Sequence, residues 1–220
     1  MSKLYVYPEA AKFGRVVSKS KIYEHGEPNT AVKKLFVNQV EQITWQYKLA
    51  PETINMKATA NVPEIQVFGI TLKGEELKPE VLRCIDEAIH FPIIFELRLD
   101  GKVKPVAAFK RPSEADSHKW VISEYFDGKW APGDSPRKPL PVVFDLEVLY
   151  GHLLAPMMPY PSRPGESFQS RVERMQLIRF KQRELERCQA RLRKEKQFNR
   201  KVEINSELRE LKRQLEGLIS

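Results

Sequence analysis

"PIIFELRLDGKVKPVAAFKR", residues 92–111, sets two apolar runs on either side of Asp100-Gly101. That dipeptide tolerates the left-handed backbone of a two-residue hairpin loop, so the stretch reads as two antiparallel strands. KWVISEYFDGKW (119–130) repeats the pattern around Asp127-Gly128. Upstream, EIQVFGITLK (64–73) carries Phe68, Ile70 and Leu72 on one face and Ile65 and Val67 on the other. Apolar residues on both faces mark a central strand. TINMKATA (53–60) reads as its neighbour across a turn at 61–63.

Helical spacing separates these doublets. In AVKKLFVNQVEQITWQYKL (31–49), Phe36, Val40, Ile43 and Tyr47 form a core-facing stripe, with Asn29 or Thr30 as cap and Pro51 as the stop. KPEVLRCIDEAIHF (78–91) has Pro79 in its first turn and turns Val81, Leu82, Ile85 and Ile89 inward. PGDSPRKPLP (132–141) is a loop, and VVFDLEVLYGHLL (142–154) reads as the last helix of the domain. Doublets between helices predict an α+β fold: a mixed sheet of about five strands covered by helices, not a doubly wound one.

Three segments follow from composition. Residues 1–154 form the α/β globular domain. APMMPYPSRPG (155–165) holds four prolines and predicts a stiff, extended connector. Residues 166–220 contain no proline and only Gly217, and they predict a long, coiled-coil-like helical arm. The arm holds 15 Lys+Arg against 9 Asp+Glu, a balance of +6 within a net charge of +8. Its densest run is Arg187, Arg191, Arg193, Lys194, Lys196, Arg200 and Lys201, which suits DNA phosphates or an acidic protein surface. A solvated helix face has the same composition.

Inside the arm, Ile178, Leu185 and Leu192 recur at seven, and Leu208, Leu211, Leu215 and Leu218 at 3-4-3. The two seams are out of phase by two residues, and KEKQFNRKVEIN (194–205) must absorb the offset. The lack of Gly and Pro there favours one continuous helix with a local discontinuity. The alternative is a reversal near 198–205, with Asn199 or Asn205 capping a second helix. Lys181 and Glu195 weaken the seams, so the arm needs a partner, its own domain or a second copy to be well ordered. Phe198, Val202, Leu208, Leu211 and Leu215 are the candidate partner-binding residues, joined by Trp45, which falls off the stripe of 31–49.

No run approaches the length of a membrane span, and the N-terminal residues lack the apolar stretch of a secretory signal. Cys84 and Cys188 form neither a disulfide framework nor a zinc spacing, which suits a reducing cytoplasm.

Three segments carry a family resemblance: KIYEHGEPNTAVKKLFVNQVEQITWQYKLAPETIN (21–55), the IDEAIHFPIIFEL run (85–97) and KEKQFNRKVEINSELRELK (194–212). With EIQVFGITLK they make the chain resemble the bacterial and archaeal family catalogued as domain of unknown function 4391. The resemblance implies no defined chemistry. It implies an accessory role beside SNF2-type helicases and DNA methyltransferases, in restriction or antiphage-defence clusters.

The residues themselves offer little catalysis. There is no Walker loop, GxGxxG, HExxH or GxSxG. His25, His90, His118 and His152 are scattered. One constellation is loosely similar to PD-(D/E)xK nucleases: Glu64 and Gln66 at the start of the central strand, Glu41 on the preceding helix, and Lys48 or Lys73 nearby. Carboxylates so placed would hold Mg²⁺ against a phosphodiester. Gln66 stands where that class needs lysine, and no aspartate precedes it on an adjacent strand. The expectation is therefore a non-enzymatic adaptor without cofactor, binding a protein partner and DNA backbone through the arm, with the metal-dependent nuclease as alternative.

Overall fold

The computed structural model describes residues 4–116 and 119–220, so His118 lies outside the described residues. The chain divides into two compact units, one ending at Met158 and the other spanning Pro159–Ser220. The first opens with β1 (Tyr5–Val6), β2 (Lys12–Val16), α1 (Lys19–Gly26), α2 (Thr30–Gln39), β3 (Val40–Leu49) and α3 (Pro51–Ile54). It continues through β4 (Ile65–Leu72), α4 (Pro79–Ala88), β5 (Ile93–Leu99), β6 (Lys102–Pro112) and β7 (Trp120–Asp127). It ends with β8 (Ala131–Pro132), β9 (Lys138–Pro139) and α5 (Leu146–Leu154). The second unit contains α6 (Phe168–Lys194) and α7 (Phe198–Ile219). The fold is α+β with a mixed sheet and long C-terminal helices.

The sheet runs β2-β3-β4-β5-β6-β7, with β8 beside β6. Only β4 and β5 are parallel, and α4 is their crossover; the other neighbours are antiparallel. The β5–β6 hairpin turns at Asp100 (φ 47°) and Gly101 (φ 72°), the left-handed pair that Asp-Gly accommodates. One sheet face carries Phe68, Ile70, Phe95, Leu97 and Val106 into a core with Ile22 of α1, Phe36 of α2 and Val81 and Ile85 of α4. Gly26 permits α1 to approach α4, because a Cβ there would meet the Cys84 carbonyl oxygen at 2.7 Å. The two-residue strands β1 and β9 pair in parallel apart from the main sheet.

Several sequence expectations need correction. The stretch 31–49 is not one helix: α2 stops at Gln39 and β3 begins at Val40. Ile43, Thr44, Trp45 and Tyr47 are β-branched or aromatic, which favours a strand. Register shifts between Val40 and Gln42 and between Trp45 and Tyr47 break the alternation of β3, so its apolar residues imitate helical spacing. The expected strand 53–60 is a helical turn closed by Asn55 at φ 51°, followed by irregular chain. Asp127-Gly128 makes no hairpin. The Gly128 N–H donates to the Pro105 carbonyl at 2.8 Å, and the chain then continues in the same direction along β6 as β8. Residues 132–141 include the short β9, and the last helix starts late, at Leu146, where the Asp145 side chain accepts from Val148 N at 2.9 Å. The connector contains a 3₁₀ turn over Ala155–Met157.

A buried charged group closes α4 against the sheet. Lys110 of β6 is 1% exposed, and its Nζ donates to the carbonyls of Asp86 and Ile89 at the C-terminal end of α4. The same Nζ lies 3.6 Å from the Asp86 carboxylate, which also accepts from Tyr125 Oη at 2.5 Å. Burial pushes the Asp86 carboxyl up to about 6 and the Lys110 ammonium down to about 8. The Tyr125 hydroxyl is raised by burial and by the neighbouring Asp86. From α5, Tyr150 Oη donates to the Ala108 carbonyl at 2.5 Å and accepts from Lys110 N at 3.2 Å.

The edges of the sheet are also specific. In β2, Gly14 at φ 66° accompanies a register shift between Lys12 and Arg15. At the opposite edge, Arg83 donates to the Ile122 and Ser123 carbonyls of β7 at 3.0 and 2.8 Å.

Candidate functional site

The arm is two helices, not the continuous one that the absence of Gly and Pro favours. The break lies at 195–197, ahead of the 198–205 interval, and Gln197, not Asn199 or Asn205, stands at the N-cap of α7. Glu195 takes the place of a helix breaker. Its Oε1 accepts from the backbone N–H groups of Lys196 (2.7 Å) and Gln197 (2.8 Å), which turns the chain. Those bonds hold the Glu195 carboxyl below the usual range.

The two helices pack side by side. Cys188, Ile204 and Leu208 are buried between them, flanked by Leu185, Leu192 and Leu211. Each leucine seam belongs to its own helix, and the two-residue offset between them marks the reversal. Arg191 pairs with Glu207 at 3.2 Å. At the far end, Arg163 donates to the Gly217 carbonyl (2.6 Å) and Arg174 to that of Leu218 (3.1 Å). Arg174 also forks onto Glu166 at 2.6 and 2.9 Å, which draws that carboxyl down to about 2.

This hairpin concentrates the basic run. Arg187, Arg191, Arg193 and Lys194 end α6, Lys196 is in the turn, and Arg200 and Lys201 open α7; all seven are exposed. Residues 187–207 hold seven basic against three acidic side chains. Cations suit the C-terminal end of α6, whose dipole is negative there. The start of α7 is different: it has no acidic residue in its first turn and no side-chain cap. Arg200 and Lys201 therefore add to the positive end of a helix and strengthen an anion-attracting field. Within this ring stand Phe198, 77% exposed, and Val202, 54% exposed. Such apolar exposure beside a charged rim is the form of a binding surface.

The other candidate residues fall elsewhere. Leu208 and Leu211 are taken up by the hairpin's own seam, and Leu215 is half-buried. Trp45 belongs to the sheet core, where its ring lies 4.0 Å from that of Phe13 and stacks at 6.0 Å on Phe68. Its Nε1 donates to the Tyr47 carbonyl at 3.0 Å.

The nuclease constellation is pulled apart. Glu41 sits on β3, not on a helix, beside the end of β4, while Glu64 precedes the first residue of β4. At about 3.3 Å per residue, the length of β4 separates them by roughly 25 Å. Glu64 bonds Gln66 (2.5 Å) and lies 3.3 Å from Lys48, whereas Lys73 donates to the Val37 carbonyl at the other end (2.8 Å). Among the described residues, no group of three His, Cys, Asp or Glu converges as metal ligands. Cys84 and Cys188 are free and buried, and among the described residues no helix is long and apolar enough to cross a membrane.

Glu41 joins residues that sequence reading did not assemble. With Arg98, Asp100, Lys102 and Arg137 it lines a cleft of about 450 Å³ at the carboxyl ends of β4 and β5. Beneath lies Glu96, 1% exposed, bound bidentately by Arg137 at 2.6 and 3.0 Å and more distantly by Arg98 at 3.4 Å. The alternation of β5 places Glu96 and Arg98 on one face, and that was the available signal.

A family model described as Domain of unknown function (DUF4391) matches residues 6–215. No curated protein and no solved structure matches the chain.

Proposed function

This chain belongs to the family described as Domain of unknown function (DUF4391), and from that premise we propose a non-enzymatic accessory protein. It serves a DNA-handling complex, of the restriction or antiphage-defence kind, in the reducing cytoplasm. It holds DNA by the phosphate backbone through the tip of the α6–α7 hairpin. One observation carries the reading: the reversal at 195–197 gathers seven exposed basic side chains around one helix end. Contacts of this kind fix a duplex without reading its sequence.

The test is duplex binding by fluorescence anisotropy across a salt series. Affinity should be sequence-tolerant, and log K should fall with log salt at a slope of about −4 to −6. Changing Lys194, Arg200 and Lys201 together to Gln should flatten that slope by about 3. These three are exposed, so folding should move by less than about 0.5 kcal/mol. A duplex affinity unchanged between low and high salt removes the proposal.

Phe198 and Val202 favour a second contact, with a protein partner such as the helicase or methyltransferase that the family context suggests. Phosphates give no reason to expose a phenylalanine to 77%. The double change Phe198→Ser and Val202→Ser should weaken co-purification of that partner about tenfold or more. Changing two exposed lysines outside the tip should not. Equal recovery of the partner by both variants counts against this contact.

A further inference from the structure

We infer that Val142, Phe144 and Val148 form the self-complementary contact of a two-fold dimer, in which a second copy of this chain covers the patch.

Exposure is the first argument. Val142 and Phe144 are 102% and 94% exposed, the two barest large apolar side chains among the described residues, and Val148 is 42% exposed. Val143 between the first two is half-buried, so Val142 and Phe144 point the same way, as alternate residues of an extended chain do. Phe144 also stands just before Asp145, the N-cap of α5. An apolar residue in that place ordinarily folds back onto the fourth helical residue. That residue, Leu149, is buried, but Phe144 turns to solvent instead of packing on it.

The second argument is that the patch is held. Before it, Lys138 N–H donates to the Leu4 carbonyl at 3.0 Å; after it, Leu146 N–H donates to the Lys57 carbonyl at 2.9 Å. The Asp145 side chain fixes the first turn of α5 by accepting from Val148 N at 2.9 Å. Exposure here is therefore not that of a loose end. A patch fixed on both sides loses little conformational freedom when it is covered.

Charge and size decide the occupant. Lys138 lies four residues before Val142 and Glu147 three residues after Phe144, both exposed. Glu147 Oε1 also accepts from Asn61 Nδ2 at 3.0 Å. A two-fold axis through the patch reverses the chain direction. Each Lys138 then approaches Glu147 of the second copy, while the apolar side chains meet their own kind. An isologous contact requires a surface that complements itself in this way. A uniformly acidic or basic partner would meet one like charge. Three side chains so exposed offer about 400 Å² of apolar surface per copy, or about 800 Å² for the pair before the rim is counted. With the rim the contact reaches about 1,200 Å², the low end for specific interfaces, which fits micromolar association. Pro139 and Pro141 have no N–H to give to a neighbouring strand, so the contact is made by side chains and closes at two copies.

Sedimentation velocity of the full chain from about 1 to 100 µM, a span that brackets micromolar association, tests the assignment. The mass should rise from one chain to two across the series. Val142→Ser with Phe144→Ser removes only exposed side chains and should raise the dissociation constant about tenfold or more. Lys138→Glu alone should raise it about fivefold, and adding Glu147→Lys should restore it. Phe198→Ser with Val202→Ser, in the other unit, should dimerise like the parent. A chain that stays monomeric at the highest concentration overturns the assignment and leaves the patch to a different protein. The assignment falls equally if Val142→Ser with Phe144→Ser dimerises like the parent, if the exchanged charges do not restore the dimer, or if the Phe198 and Val202 variant is the one that loses it. No DNA enters this measurement, so its outcome is separate from that of the duplex titration.

Discussion

Replacing Lys110 with methionine should destabilise the first unit by about 3–5 kcal/mol, the range for removing one partner of a buried ion pair. Methionine fills much of the same space, so the effect is electrostatic, not steric. Three acceptors lose the ammonium at once: the carbonyls of Asp86 and Ile89, and the Asp86 carboxylate, which keeps the Tyr125 hydroxyl. Those carbonyls end α4, the crossover between the parallel strands. The pH dependence identifies the cause. The Asp86 carboxyl already titrates at about 6 in the folded protein, above its usual 3.8, because burial outweighs the ammonium beside it. Its proton is therefore held more tightly folded than unfolded. Stability from this group is fully present below the unfolded value and is lost as pH rises through the folded one. Without the ammonium the folded value climbs further, so the deficit of the variant should be large near pH 8 and shrink toward about pH 5. Adding Asp86→Asn to Lys110→Met should recover part of the loss at neutral pH. Urea denaturation at the two pH values is the measurement. A loss below about 1 kcal/mol that does not vary with pH would show that the pair contributes little.

Glu96→Leu should be the second largest change, at about 3 kcal/mol. The carboxylate is buried, but Arg137 and Arg98 are 22% and 43% exposed at their side chains, so solvent screens part of the loss. What remains is two guanidinium groups side by side with no counter-charge between them. Arg137 also ties the β9 region to Tyr5 of β1. Faster hydrogen exchange is therefore expected at Lys138 N, which donates to the Leu4 carbonyl at 3.0 Å. The double variant Glu96→Leu with Arg137→Leu should be more stable than the sum of the single changes. Additive losses would mean that the fork contributes no coupling.

What could be read from sequence depended on how local the cause was. Asp100-Gly101 made the β5–β6 hairpin legible, since two residues with positive φ are enough to define the turn. The two-faced apolar run of β4 disclosed a central strand for the same reason. By contrast, β3 was misread because its irregular pairing destroys the period of two that identifies strands. That error also placed Glu41 on a helix, and with it an imagined approach to Glu64. In the arm, the two-residue mismatch of the seams was the correct clue. Its cause, a carboxylate of Glu195 occupying two backbone N–H groups, has no compositional signature comparable to Gly or Pro. The pairs Lys110–Asp86 and Arg137–Glu96 are 24 and 41 residues apart. Nothing in a one-dimensional pattern joins them; they meet only once the sheet has its order.

The two outer strands bear on how copies of this chain can meet. A flat, unpaired strand is a template on which another molecule can continue the sheet. The left-handed glycine and the slip in β2 spoil that template at one margin, and the guanidinium of Arg83 occupies two carbonyls at the other. Fibril-like stacking and strand exchange are thereby disfavoured. An overexpressed or crowded chain is thus steered toward staying dispersed, and changing Arg83 or Gly14 would open the route to aggregation before it altered any binding surface.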